Sequence, residues 1–310
     1  MDCVLLVHRA DLRGGEDGGS YLQLLLGDRT GSVPATVWDR VTELQRFVRS
    51  GRPVRVVGRY GGTPRQLAVR RLRVPAPGSW RDEDLREGPP RNPAQMEQDL
   101  RSLVATVRDP HLAALLGRFF GEGSEAWARY RLAPAAKLYH QAYQHGLLEH
   151  SLTVAQSVSA VSAIFPGIDR DVAVTGALLH DIGKLEAYAA DQARIDLTDA
   201  GRLQGEISLG YYLVRRAIEE LPGFPARLAE ALLHIILAHH GALEHGSPVV
   251  PCTREATLVH FIDNLGGRLG SFDRLEKALP VGERWAKFDR ALGATAYFPW
   301  AGEPPAEAAA

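Results

Sequence analysis

Two cysteines in 310 residues, Cys3 and Cys252, cannot build a disulfide framework. Neither stands in a Cys-x-x-Cys pair, so zinc-ribbon and dithiol redox chemistry are excluded, and a reducing cytoplasm is the expected compartment. No apolar run approaches the roughly 18 residues of a transmembrane helix, so no membrane association is expected. The opening MDCVLLVHRA has an acid at position 2 and only a short apolar run, and it is not expected to act as a signal peptide. No internal repeat of fixed period is present, which argues against solenoids and propellers. Lysine is scarce as well: four residues, so arginine is the cation throughout.

What is present is the composition of a soluble globular protein, 45% hydrophobic and 24% charged, on a chain long enough for two domains. The net charge of -1 conceals an asymmetry. Residues 1–75 hold 13 arginines, no lysine and 7 acidic residues, a surplus of six positive charges; the remainder carries a surplus of seven negative ones. A basic module joined to an acidic one points to an anionic partner for the first, nucleic acid foremost.

Within residues 1–75, CVLLVHRADL, SYLQLLLGD, GSVPATVWD, RPVRVVGRY and QLAVRRLRV read as short strands separated by Gly, Asp and Pro turn signals. VTELQRFVRSG between the third and fourth has helical spacing and ends in glycine. Five strands and one helix in so short a span predict a small closed all-β barrel, best matched by an OB-fold. Residues 76–93 are rich in proline and charge and read as a linker. From 94 to 300 apolar residues recur at three- and four-residue spacing, predicting an all-α bundle. AGEPPAEAAA, residues 301–310, has no burial pattern and reads as a disordered tail.

Most of the eleven histidines fall in the apolar helical region between His140 and His260. His150 (LLEHS), His180-Asp181 (LLHDIGK), His239-His240 (LAHHG) and Asp263 (HFIDN) stand on four separate predicted helices, each among apolar neighbours. One such histidine is ordinarily a hydrogen-bonded core residue. Six buried polar groups on four helices would cost several kcal/mol unless paired or bound to metal, and a shared metal removes that cost for all of them. Imidazole with carboxylate suits Mn, Fe, Co, Ni or Zn. Asp181 can bridge two ions, with His150 and His180 on one side and the 239–240 pair on the other, an arrangement suited to phosphoester hydrolysis. Lys184, predicted to share a helix face with His180 and Asp181, either faces a substrate phosphate or forms a salt bridge to Asp181.

His150, His180-Asp181 and Asp263 resemble the H…HD…D signature of HD-domain phosphohydrolases. The chain is more closely similar to the YhaM-type 3′-5′ exoribonucleases, which join an OB domain to an HD domain. The similarity rests on GDRTGSVPATVWD and QLAVRRLRV, then on AAKLYHQAYQHGLLEHS, ALLHDIGKLEAY, GEISLG, LAHHGALEHGSP and EATLVHFIDNL. The resemblance implies metal-dependent release of nucleotides from the 3′ end of single-stranded RNA, and of single-stranded DNA as a second substrate, with two divalent ions: manganese or cobalt foremost, Fe, Ni, Mg or Zn as alternatives. It implies His150, His180, Asp181, His239, His240 and Asp263 as ligands, and Asp181 and Lys184 as catalytic. Glu206 stands where the family usually has histidine; it either ligates the second ion or turns away. His260, three residues before Asp263, is expected to support a ligand rather than be one. Lys137 and His140 match the family's AAK-x-x-H stretch and are expected at the substrate phosphate, with His140 alternatively a structural hydrogen-bonder.

In the barrel, Tyr21 and Trp38 with Arg59 and Arg71 are the candidate strand-binding residues, since OB-folds stack bases on aromatics beside a basic groove; Trp38 alternatively fills the barrel core. Two other readings remain at this point: a phosphohydrolase of free nucleotides or cyclic dinucleotides, and a nucleic-acid-binding protein whose metal site has decayed. The Gly-Tyr-Pro element of the cyclic-dinucleotide enzymes is missing after His239-His240. The oligomeric state, a homo-oligomer included, is open.

Overall fold

The computed structural model describes residues 1–14, 19–29, 31–61, 66–85, 88–136, 141–190, 195–280 and 282–299. The first unit comprises β1 (Asp2–Gly14), β2 (Ser20–Asp28), β3 (Gly31–Val37), α1 (Val41–Leu44), β4 (Pro53–Gly61) and β5 (Gln66–Arg73). Strict alternation drives it. On β2, Leu22, Leu24 and Leu26 point inward while Tyr21 and Gln23 point out; Val54 and Val56 on β4 do the same with Arg55 outside. Strand order β1-β2-β3-β5-β4 closes into a barrel, with β3 and β5 parallel through Ala35↔Leu67 and β1 and β4 antiparallel from Asp2↔Val57 to Leu6↔Pro53. This is the topology of an OB-fold. The helix predicted over 41–51 is a single turn, Val41–Leu44, after which the chain turns and sends Val48 into the barrel core with Leu44.

The proline-rich stretch is not a free tether. It forms α2 (Asp82–Leu85), which buries Leu85 and accepts a hydrogen bond from Arg29 N at Asp84 O, 3.1 Å, beside the β2–β3 turn. Asn92 then caps α3 (Pro93–Val104), followed by α4 (Pro110–Phe120), α5 (Glu125–Tyr130), α6 (Gly146–Ser162), α7 (Arg170–Leu179), α8 (Lys184–Ala187), a hairpin of β6 (Tyr188–Ala190) and β7 (Ile195–Leu197), α9 (Asp199–Gln204), α10 (Glu206–Glu219), α11 (Ala226–Ala238) and α12 (Arg254–Ala278). One continuous core of leucine, isoleucine, valine and aromatics joins α3 through α7 with α10, α11 and α12. This is the all-α bundle expected, with a short hairpin and a terminal segment (282–299) carrying two isolated β-bridges added to it. That segment packs Leu292, Ala296 and Phe298 against Leu275 and Leu279, at the C-terminal end of α12. The tail at 301–310 lies outside the described residues, as do Lys137 and His140. Among the described residues no helix is long and apolar enough to cross a membrane.

Candidate metal centre

Four helix ends and two helix interiors converge on one buried cluster. Asp169 caps α7 by accepting from Asp171 N and Val172 N, and α7 stops at Leu179 rather than running through Lys184 as the sequence predicts. Past the break, Gly183 lies against α10: a Cβ there would overlap Glu206 O and Gly210 N, so glycine is what lets the two backbones meet. Residues 180–183 form tight turns, with Lys184 N donating to Asp181 O at 3.0 Å, and His180, Asp181 and Lys184 do not share a helix face.

His180 and His239 are held in the same way. Each follows the last residue of its helix and folds back to donate Nδ1–H to the carbonyl three residues earlier: His180 to Ala177 O and His239 to Ile236 O, both 2.7 Å. This satisfies a helix-end carbonyl and leaves each Nε2 for another partner. His240 donates Nδ1–H to His245 O at 2.9 Å, and His260 donates to His239 O at 2.8 Å, pinning the end of α11 from α12. His260 thus touches a candidate ligand, through that residue's backbone.

Two trios result. His150, His180 and Asp263 bring donor atoms within 4.8 Å of one another, and Glu206, His239 and His240 do the same. Asp181 stands between them: Oδ2 is 3.3 Å from both His150 Nε2 and His180 Nε2, and Oδ1 is 3.6 Å from His239 Nε2. His150 Nε2 also lies 3.0 Å from Asp263 Oδ1 and 3.2 Å from His180 Nε2. Glu206, the first residue of α10, does not turn away; its Oε1 is 3.5 Å from His240 Nε2. Lys184 is buried at 8% exposure, with Nζ 2.7 Å from Asp181 Oδ2 and 4.0 Å from Glu206 Oε1. Its ammonium is engaged with carboxylates.

The electrostatics follow from this packing. Burial alone would lower the His180 pKa, but the Asp181 and Asp263 carboxylates outweigh it and raise it to about 10. The same contest raises His150. Burial would raise Asp181, yet Lys184 and His180 hold it well below the usual carboxylate range; His150 and His180 do so for Asp263. Glu206 is lowered against its burial by Lys184 and His240. His239 is the exception: burial, reinforced by the charges of His180 and His240, outweighs Asp181 and lowers its pKa, which favours the neutral imidazole. Among the described residues its buried Nε2 has no hydrogen-bond partner, Asp181 Oδ1 standing 3.6 Å away. A neutral imidazole with an unused lone pair, facing a carboxylate, is what a metal ligand requires. The residues therefore fit divalent ions on each side of Asp181, with three nitrogen-or-oxygen donors per side plus the shared carboxylate.

Residues 147–267 match the HD domain family. HD domains bind divalent metals, and the match supports a metal-dependent phosphohydrolase. It spans α6 through most of α12 and so contains every candidate ligand, from His150 to Asp263. No solved structure matches the chain.

Of the predicted strand-binding residues, Trp38 lies not in the barrel core but at 64% exposure, its ring centroid 4.4 Å from that of Tyr21. Tyr21 is outward on β2; Arg59 and Arg71 are exposed on β4 and β5. The outward row Gln23–Thr36–Ala68–Arg59 runs across β2, β3, β5 and β4, so the aromatic pair and Arg59 belong to one outer surface. Arg55 is paired with Asp2 at 2.7 Å. The supporting residues that motif reading passes over are Gly183 and the carbonyls of Ala177, Ile236 and His245; they act through the backbone, where side-chain identity carries no signal.

Proposed function

We propose that this chain is a metal-dependent 3′-5′ exonuclease that removes nucleotides from single-stranded RNA, with single-stranded DNA as a second substrate and manganese as the preferred ion. What carries the reading is the presence, in one chain, of two ligand trios astride Asp181 and an OB barrel bearing a stacked Tyr21–Trp38 pair. When bound, divalent ions supply Lewis acidity toward a phosphoester and lower the pKa of water. The chain's own residues supply the rest. Asp181 offers one carboxylate oxygen to each trio. Lys184 is a positioning residue: it holds Asp181 and neutralises charge that would otherwise repel a phosphate. Tyr21 and Trp38 stack bases of the strand upstream of the reacting end, and Arg59 and Arg71 take its phosphates. The sequence similarity to YhaM-type exoribonucleases supports the same assignment, as does the excess of basic residues in the barrel.

The test is incubation of manganese-loaded full-length protein with RNA labelled at the 5′ or the 3′ end. A ladder descending from the full-length 5′-labelled strand is expected, with immediate release of mononucleotide from the 3′-labelled one. Hydrolysis confined to free nucleotides or cyclic dinucleotides would replace the proposal with a nucleotide phosphohydrolase. Binding without cleavage would assign the chain to binding alone.

A further inference from the structure

The α12 helix presents two faces. One carries Asp263 and His260 into the metal centre; the other carries Phe261, Leu265, Leu269 and Phe272, which are 65, 50, 54 and 38% exposed. Their spacing of four, four and three residues keeps them in one stripe along the helix. Beside it opens a cavity of about 770 Å³ lined in part by Phe165, Leu258, Phe261 and Ile262. Soluble chains do not leave so continuous an apolar surface bare; such surfaces mark interfaces.

The pattern on α12 identifies the occupant. Reversed about Leu265, the helix is complementary to itself. Arg254 opposes Glu276, Leu258 opposes Phe272, Phe261 opposes Leu269, and Leu265 opposes its own copy. Arg254 and Glu276 are exposed, so unlike charges meet at both ends. A parallel pairing would set Arg254 on Arg254 and Glu276 on Glu276. Gly266 adds a second indication. Among the described residues nothing lies within 4 Å of where its Cβ would stand, so their packing does not call for glycine at a mid-helix position that costs about 1 kcal/mol. A neighbouring helix crossing at Leu265 does call for it.

We propose that two copies of this chain associate through antiparallel α12 helices about a twofold axis at Leu265. The helices share residues 254–276, about 33 Å of length. Phe272 of the second copy enters the cavity beside Leu258, Phe261 and Ile262. The interface is isologous, so every contact occurs twice. The candidate metal residue Asp263 lies on the opposite side of each α12, away from the pairing. The inference does not depend on the exonuclease reading.

Sedimentation velocity of the full-length protein at micromolar concentration tests it. A dimer is expected, converted to monomer by Leu265→Arg, which sets two guanidinium groups on the axis, with metal content unchanged. Arg254→Glu and Glu276→Arg should each raise the dimer dissociation constant by about two- to tenfold, since each breaks two exposed pairs; the double variant should restore it. Leu265→Cys, in a background with Cys3 and Cys252 changed to serine, should form an intermolecular disulfide on mild oxidation. A monomeric wild type, a dimer indifferent to Leu265→Arg, or charge variants that add without rescue would each overturn the proposal.

Discussion

Among the described residues, Asp181 is the carboxylate that reaches both halves of the cluster, and replacing it by alanine removes both contacts. Lys184 Nζ is 2.7 Å from Asp181 Oδ2 and its remaining carboxylate neighbour, Glu206, is 4.0 Å away. At an effective dielectric of about 20, a unit pair at 2.7 Å interacts by roughly 6 kcal/mol, before the desolvation it offsets. Breaking such a buried pair from one side typically costs about 3–5 kcal/mol, because the partner charge stays buried. In metal-free protein the variant should therefore unfold at lower denaturant, with a melting temperature depressed by roughly 10 °C for a domain of this size. Stability and metal binding can then be separated. Asp181→Asn with Lys184→Met removes both charges and should recover most of the lost stability while still failing to retain two ions. Urea unfolding of the metal-free proteins, followed by metal analysis, reads both. The reasoning fails if Asp181→Ala alone is as stable as wild type, or if the double variant stays as unstable as the single one.

Gly183→Ala should cost about 1–3 kcal/mol, because its methyl group meets the α10 backbone, and should loosen Glu206 before His150; thermal melting and the electron paramagnetic resonance of bound manganese would show this. Glu206→Ala should abolish spin coupling between two manganese ions while leaving one ion at the His150 trio. Metal loading should release protons at pH 7, since His180 titrates near 10 without metal and must lose a proton to ligate; calorimetry in buffers of different ionisation enthalpy measures the number, and affinity should rise between pH 6 and 8. Trp38→Ala should weaken single-strand binding by about 1–3 kcal/mol, roughly 5- to 150-fold, and leave hydrolysis of a small phosphodiester unchanged; a fluorescence titration against a labelled strand decides it.

The barrel was legible because a closed β-structure with one buried face writes itself as alternation: Leu22, Leu24 and Leu26 against Tyr21 and Gln23. The candidate ligands were legible because histidine and aspartate among leucines are conspicuous, as at His180-Asp181 and Asp263. The break after Leu179 was not, since the i, i+3 apolar pattern continues across it. Nor was the need for glycine at 183, which comes from its approach to the α10 backbone, a contact more than twenty residues away in sequence. The place of α2 was hidden for a like reason: proline and charge announce a linker, whereas the bond from Arg29 N to Asp84 O needs the barrel already built. Exposure of Trp38 was undecidable from sequence, because a residue just past a strand end can fall on either surface.

The central claim is that Asp181 divides two metal positions, one between His150, His180 and Asp263 and the other between Glu206, His239 and His240. Metal content per chain, measured on protein stripped, reloaded with manganese and freed of excess, tests it most directly. Two ions per chain are predicted, falling below one in Asp181→Ala. A single ion in the wild type, or none, would contradict it.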